Sequence, residues 1–174
     1  MSLADLDDFT IEVPSWAYGN SGTRFKVFGA PGVPRNPFEK IADAAQVQAV
    51  TGLAPRVSLH IPWDRVDDYG ALARLAGSEG VELGAVNPNL FGDDDYRLGS
   101  LCSPDEGVRA KALRHLAECV EIARAVDSNV ISLWLADGTS YAGQDDLRAR
   151  HDRLVTGLEK TYALLNSSRS DSGL

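Results

Sequence analysis

Between Val57 and Val86 the sequence reads VSLHIPWDRVDDYGALARLAGSEGVELGAV, in which two short apolar runs flank a longer mixed segment. The flanking runs, residues 57–61 and 81–86, are rich in β-branched and apolar residues and predict strands. The middle segment repeats apolar residues at helical spacing and closes between Gly77 and Gly80, which predicts a helix and its end. A strand, a helix and a second strand in this order are typical of a βα unit in a parallel sheet.

The same alternation extends on both sides of this unit. Residues 23–28 (TRFKVF) and 130–135 (VISLWL) predict two further strands, which brings the number of candidate strands to four. Each candidate strand is followed by residues that favour the start of a helix. The expected helix caps are Asn36 before Pro37, Asp64, Ser103, and either Asp145 or Asp146. The pattern therefore predicts an α/β protein of parallel βα units, either one domain or part of one.

The composition narrows the classes of function. The 174 residues include 17 Lys and Arg against 25 Asp and Glu, a formal net charge of −8 that argues against a nucleic-acid partner. The densest charge run, Asp93 to Asp95, is interpreted as a solvated loop because consecutive carboxylates diverge too far for a cation site. No apolar run reaches the length of a membrane helix, and the acidic start MSLADLDDF lacks a signal-peptide core. A cytoplasmic protein with no membrane partner is expected.

The cysteines and two of the histidines are interpreted as structural. Cys102 and Cys119 have neither CxxC nor Cys/His metal spacing, and both are expected to be buried thiols. His115 lies four residues before Cys119 on a predicted helix, but a helix packed outside a sheet is a poor place for a metal site. A surface position is expected for His115 and for His151.

The candidate chemistry lies at the carboxyl ends of the strands, where α/β proteins bind ligands. The chain contains no GxxxxGK[ST], HExxH or dinucleotide-binding motif. His60, in the second strand, can act as an acid or base near neutral pH, and Trp63 offers a flat apolar wall for a sugar. The alternative is a core histidine bonded to a backbone carbonyl, beside a tryptophan that fills a loop. Asp64 is interpreted as a helix cap.

The third and fourth strands also end in residues that suit a sugar site. Asn87 and Asn89 can bond sugar hydroxyls, although Asn-Pro-Asn is ordinary turn sequence and that interpretation leads. Phe91 follows in a long loop, and Trp134 lies in the last turns of the fourth strand. If they face one pocket, Trp63, Phe91 and Trp134 form an aromatic box, while a core position is the alternative for Trp134.

Four separated blocks of this sequence resemble a known family. They are SWAYGNSGTRFKVFG, TGLAPRVSLHIPWD, NPNLFGDDDYRLGSL and LWLADGTSYAGQDDLRAR. In this order they are similar to the N-terminal half of bacterial L-rhamnose isomerases of the rhizobial and Gram-positive type, which belong to the xylose isomerase-like superfamily. The resemblance runs from about Phe9 to Leu165.

The resemblance implies the first four units of a (β/α)8 barrel and a metal-dependent isomerisation of L-rhamnose to L-rhamnulose. It implies Mn²⁺ or a similar divalent ion as cofactor and a small-molecule sugar as substrate. Carried over by position, His60 is the candidate catalytic residue, which assists ring opening or orients the ring-end oxygens. Trp63, Phe91 and Trp134 become the apolar, substrate-binding wall. Asp137 and Tyr141 match the family without an assigned role.

The sequence departs from the family after Leu165. The resemblance implies metal ligands from the fifth and later strands, beginning with a Glu in an LEYK-like block, whereas this chain continues as NSSRSDSGL. Residues 1–165 are therefore expected to form the N-terminal half of the barrel and residues 166–174 a disordered tail outside the family. The chain is expected to be a truncated fragment with no metal ligands, inactive alone, and an open half-barrel favours a homo-oligomer.

Two other functions are compatible with the same residues. The first is a non-catalytic module, a half-barrel that binds sugar or promotes assembly. The second is another xylose isomerase-like enzyme, an isomerase or an epimerase that acts on a different sugar.

Overall fold

The computed structural model describes residues 10–23, 26–135 and 141–167. Among the described residues, no helix combines the length and the apolarity needed to cross a bilayer. The strands are β1 (Glu12–Pro14), β2 (Gly22–Thr23), β3 (Lys26–Val27), β4 (Arg56–Ile61) and β5 (Glu82–Pro88). The helices are α1 (Pro37–Thr51), α2 (Tyr69–Ser78), α3 (Glu106–Ala125) and α4 (Leu147–Ser167), with 3₁₀ turns at Ser15–Tyr18 and Asp94–Leu98.

A three-stranded sheet contains β4 at its centre, with β1 on one side and β5 on the other. Strands β1 and β4 are parallel, and their register places Glu12 opposite Arg56 and Pro14 opposite Ser58. Strand β4 is buried from its second residue to its end. The predicted strands at 57–61 and 81–86 are confirmed, as is the α/β class with parallel strands.

The prediction for the first strand of the parallel sheet is wrong. Within residues 23–28, Thr23 and Lys26 pair in an antiparallel ribbon formed by β2 and β3, and the first parallel strand is β1. The TRFKVF run has good strand propensity, but Val27 and Phe28 are exposed, so the ribbon lacks a buried face. Tertiary pairing, which propensity does not report, selects the shorter β1 as the neighbour of β4.

The prediction for the fourth strand is wrong over the described residues 130–135. Val130 O accepts a hydrogen bond from Val86 N at 3.0 Å, and Ile131 forms an isolated bridge, but the segment does not continue as a strand. A strand is defined by a ladder of backbone hydrogen bonds, and apolar alternation alone does not supply one. Leu133 and Leu135 nevertheless pack on a hydrophobic core, as their alternation suggests.

Two helix starts are confirmed. Asn36 Oδ1 accepts from Glu39 N at 3.0 Å, which caps α1 with Pro37 in its first position. Asp146 Oδ1 accepts from Arg148 N at 2.9 Å at the start of α4. Helix α4 continues to Ser167, two residues into the predicted tail, and residues 168–174 lie outside the described residues.

The other two helix starts are corrected. Helix α2 begins later than expected, because Asp68 caps it by accepting from Ala71 N at 2.8 Å, and Asp64 has another role. Helix α3 is capped by Asp105, whose Oδ1 accepts from Gly107 N at 2.7 Å. The expected cap Ser103 instead accepts from Asp105 N and so supports the cap. Local propensity predicts these helix starts to within a few residues, and competing side-chain contacts decide which residue becomes the cap.

The described chain divides into two compact units. Unit 1 comprises the described residues up to Asn87 together with Ala123–Val130, and unit 2 comprises Pro88–Ile122 and the described residues from Ile131 onward. The buried residues of unit 1 include the inward side chains of β4 and of its two flanking helices: Ile41, Val57, Leu59, Ile61 and Leu72. The core of unit 2 is formed by Leu90, Tyr96, Leu101, Ala112 and Leu116. Cys102 and Cys119 are buried free thiols, as predicted.

Candidate functional site

An aromatic cluster lies at the carboxyl ends of β1 and β4 in unit 1. His60 is 5% exposed and stacks on Trp63, with ring centroids 3.8 Å apart and an interplanar angle of 19°. Trp16 approaches the same imidazole edge-on at 5.3 Å. Trp63 and Trp16 are 54% and 40% exposed. This tryptophan–histidine cluster (Trp16, His60, Trp63) therefore combines a buried acid–base group with two indoles accessible from solvent.

The parallel register explains why Trp16 belongs to this cluster. Pro14 lies opposite Ser58, so the turn after β1 continues beside His60 at the same edge of the sheet. Sequence reasoning missed Trp16 because it placed the first strand after this residue. The usable signal was the SWAY segment itself, which directly follows the apolar and β-branched residues of β1.

Asp64 is a buried carboxylate, and its interpretation as a helix cap is wrong. It is fully buried, and its Oδ1 accepts from Lys40 Nζ at 2.6 Å. Its Oδ2 accepts from the backbone N of His60 at 2.7 Å and from the buried Ser15 hydroxyl. Three donors, one of them the Lys40 ammonium, offset the cost of removing this charge from water. The carboxylate therefore joins α1, the turn after β1 and the end of β4.

The loop between His60 and Asp64 is a tight turn. Asp64 N donates to His60 O at 2.8 Å, and Arg65 N donates to Pro62 O at 3.2 Å. The turn reverses the chain directly after β4, and the Ile61–Pro62 peptide bond within it is cis. Trp63 is carried on this turn, which brings its indole back over the imidazole of His60.

The other two predicted wall residues contact each other in unit 2. Phe91 and Trp134 meet edge to face, with ring centroids 4.7 Å apart and an interplanar angle of 66°. Trp134 is 66% exposed, so the alternative of a core position does not hold. The structure brings together Trp63 with His60 and Phe91 with Trp134. The aromatic box that would include all three wall residues stays a prediction.

The leading interpretation of the asparagines as turn residues holds for Asn89 and is wrong for Asn87, which lies within β5. Asn87 Nδ2 donates to Leu59 O at 3.0 Å and so joins β5 to β4. Asn89 Oδ1 accepts from Gly92 N at 2.7 Å and from Phe91 N at 3.2 Å, which is turn geometry. Tyr141 is exposed, and Asp137 lies outside the described residues.

The acidic run is not merely a solvated loop. Asp93 and Asp95 each accept from Lys111 Nζ at 2.7 Å, so the loop is tied to α3. The hydrogen bond from Lys111 holds the pKa of Asp93 below its ordinary value, and the two carboxylates raise the pKa of Lys111. A lysine takes the place that a cation would need between these carboxylates.

The described residues do not fit the divalent ion that the resemblance implies. They contain no group of three or more His, Cys, Asp or Glu side chains arranged to hold a metal. His115 Nε2 lies 3.8 Å from Cys119 Sγ and its Nδ1 lies 3.2 Å from Glu118 Oε2, but these three side chains are not arranged to hold a metal ion. His115 is partly buried rather than on the surface, whereas His151 is exposed as expected.

Comparison with curated proteins finds relatives named as sugar isomerases, while no protein-family model matches the chain. The chain is 40% identical over 167 residues to a probable sugar isomerase of Rhizobium meliloti (strain 1021), covering 93% of this chain and 39% of that protein. A probable sugar isomerase of Mesorhizobium japonicum is 36% identical over 165 residues, with 92% and 38% covered. The chain thus spans about two fifths of the length of these relatives.

Solved structures share the fold. A D-psicose 3-epimerase from Clostridium cellulolyticum H10, solved with D-tagatose, superposes with a TM-score of 0.62 at 14% identity. The match covers 90% of this chain and 48% of the epimerase. An L-ribulose 3-epimerase gives a TM-score of 0.62 at 17% identity, with 90% and 46% covered. The chain therefore has the α/β fold of the N-terminal part of TIM-barrel sugar epimerases.

Proposed function

We propose that this chain is the sugar-facing part of a sugar isomerase or epimerase, and that the complete enzyme converts L-rhamnose to L-rhamnulose. The observation that carries the proposal is the buried imidazole of His60, held at a strand end between two accessible indoles. Sugars present flat C–H faces to aromatic rings and hydroxyls to polar groups, so this cluster suits them. The named relatives support the class, and the sequence blocks support the choice of L-rhamnose.

In this proposal, different residues of the chain bind the sugar and transfer the proton. His60 moves a proton at a ring oxygen or orients the ring-end oxygens, because an imidazole changes charge near neutral pH. Trp63 covers one face of that imidazole and excludes water from it. Phe91 and Trp134 supply further apolar wall. A divalent ion such as Mn²⁺ would polarise the sugar oxygens in the complete enzyme, with ligands other than the described residues.

Binding of L-rhamnose tests the proposal directly. Calorimetry of the 174-residue chain is expected to detect binding at millimolar sugar without added metal. Trp63→Ala is expected to weaken that binding at least about tenfold, because the variant loses one wall and uncovers His60. Phe28→Ala is the matched control, since Phe28 is an exposed aromatic of unit 1 outside the cluster. Absence of binding to the unmodified chain, or equal losses in both variants, would contradict the proposal.

An activity assay is expected to distinguish the isomerase from the non-catalytic sugar-binding module only when the complete enzyme is used. The chain alone, incubated with Mn²⁺ and L-rhamnose, is expected to give no L-rhamnulose above a protein-free control. Turnover by the chain would show that it carries its own metal site. If the chain binds sugar, but a protein as long as the relatives that contains the same residues remains inactive, the binding or assembly module is the better description.

An epimerase is the second candidate, and the shared fold with a D-psicose 3-epimerase and an L-ribulose 3-epimerase favours it. The two candidates differ in substrate, so a binding series with L-rhamnose, L-ribulose and D-psicose discriminates them. Tighter binding of a ketose than of L-rhamnose would favour the epimerase. The acidic composition of the chain supports the further proposal that it has no nucleic-acid partner, and a cytoplasmic location stays a proposal.

A further inference from the structure

The fully buried carboxylate of Asp64 is bonded to the tryptophan–histidine cluster at the backbone N of His60, and none of the bonds described above joins it to a ring. Its three donors come from separate elements: Lys40 on α1, Ser15 after β1, and the backbone N of His60 at the end of β4. We infer that Asp64 is the positioning residue of the cluster, with Ser15 and Lys40 as its partners. The inference rests on the proposed function in taking a sugar as the ligand of the cluster.

The placement of the two indoles follows from neighbouring residues. Trp16 is the residue after Ser15, and Trp63 is the residue before Asp64. Because the Ser15 hydroxyl donates to the Asp64 carboxylate, a side-chain hydrogen bond joins the residue before Trp16 to the residue after Trp63. The same oxygen, Oδ2, accepts from the backbone N of His60. One carboxylate oxygen therefore fixes the relative positions of the three residues that bear the rings.

The chemistry of the network makes it sensitive to small substitutions. A carboxylate only accepts hydrogen bonds, and it meets an ammonium, a hydroxyl and a backbone N–H. Asp64→Asn keeps the shape but turns one acceptor into a donor, so a donor faces a donor. Ser15→Ala removes a single hydrogen bond and leaves the side-chain volume nearly unchanged. Both variants should loosen the turns that carry the indoles while β4 stays in the sheet.

Tryptophan spectroscopy reports the cluster without requiring a ligand. The chain has three tryptophans, so Trp134→Phe leaves Trp16 and Trp63 as the remaining indoles. In that background, Ser15→Ala and Asp64→Asn are expected to lose near-ultraviolet circular dichroism and to become more accessible to acrylamide, with an unchanged far-ultraviolet spectrum. In the chain with Trp134 intact, both are expected to bind L-rhamnose about tenfold more weakly, the effect of losing a hydrogen bond to a charged group.

The matched control is Asp68→Asn, an aspartate of the same loop that is exposed and caps α2. Asparagine caps helices as well as aspartate does, so this variant should keep the near-ultraviolet signal. If Asp64→Asn does not fold, Ser15→Ala alone decides. A folded Ser15→Ala chain with the unchanged near-ultraviolet signal and sugar affinity overturns the inference. If the unmodified chain binds no sugar, the proposed function fails, and the near-ultraviolet signal of Ser15→Ala still upholds or overturns the positioning role.

Discussion

At the scale of single residues, loss of the ion pair between Lys40 and Asp64 is expected to lower the stability of the fold. Lys40 Nζ lies 2.6 Å from a carboxylate that is fully buried. Removing one partner of a buried pair leaves an uncompensated charge, so Lys40→Met is expected to lower the free energy of unfolding by about 3–5 kcal/mol. Urea unfolding followed by far-ultraviolet circular dichroism measures this change.

The control for this prediction is a basic residue that lies just before α1 and pairs with a carboxylate of that helix. Arg35 pairs with Glu39 at 2.8 Å, but the arginine is largely exposed. Water screens exposed ion pairs, so Arg35→Met is expected to have little effect on stability. Equal losses of stability in the two variants would show that burial of the Lys40 pair does not matter.

For a single residue, the sequence predicts the chemistry of the side chain better than it predicts which residues that side chain contacts. His60 and Trp63 can be picked out as candidates because they lie at the carboxyl end of a strand that is easy to recognise in the sequence. Their stacking and the burial of Asp64 depend on Ser15 and Lys40, which come from distant parts of the chain. An aspartate that caps a helix and an aspartate that pairs with a buried cation can have the same local sequence, so only the fold distinguishes them.

At the scale of elements, the start of α4 carries a pH-dependent contact. Arg153 Nη2 donates to Asp145 Oδ2 at 2.7 Å, and this hydrogen bond holds the pKa of Asp145 below its ordinary value. A lowered pKa in the folded state stabilises the protein above the unfolded pKa of about 4, and this stabilisation is lost as the pH falls through the folded value. Asp145→Asn should therefore cost stability at neutral pH and progressively less below about pH 4.

Urea midpoints of the two chains between neutral and acidic pH check this prediction. The difference between the unmodified chain and Asp145→Asn should be constant above about pH 5 and shrink below it. Asp152→Asn is the control, because Asp152 is exposed on the same helix and lies outside the contact with Arg153 described here. A difference that grows as the pH falls would contradict the assigned sign.

The elements themselves were predictable to the extent that their signals are local. Asn36, Pro37 and Gly52 mark both ends of α1, and Gly52 has the left-handed φ of 66° that such an end requires. The first strand was missed because β1 has three residues and one of them is Glu12. The Glu12 carboxylate accepts from Ala85 N at 3.1 Å, so its partner lies in β5, beyond β4 in the sheet, which local sequence does not reveal.

At the scale of the molecule, the class of fold was predictable and the number of strands was not. Alternating strand and helix patterns identified the α/β class, because a parallel strand pair needs a crossover helix. Two of the predicted strands are misplaced, since the described residues of 23–28 lie in an exposed ribbon and residues 130–135 do not continue as a strand. Pairing between distant segments decides both cases.

The exposed face of α4 carries a row of apolar side chains that could contact a second copy of the chain. On α4, Leu154 packs on the core of unit 2, and Gly157 and Thr161 are buried, whereas a second row of apolar side chains is exposed. That row is Val155, Leu158, Tyr162 and Leu165. Its spacing of three, four and three residues is the pattern of a coiled-coil seam, for which α4 of a second copy is a fitting partner.

A charge placed on this row should therefore weaken association of the chain. Leu158→Lys is expected to raise the dimer dissociation constant at least about tenfold, because a lysine in the seam must lose its hydration. Ala163→Lys introduces the same charge at an exposed position of the same helix outside the row, so it should leave association unchanged. Sedimentation velocity over a concentration series measures both constants. A chain that stays monomeric at the highest concentration, or equal effects of the two lysines, would rule out this face as the contact between copies.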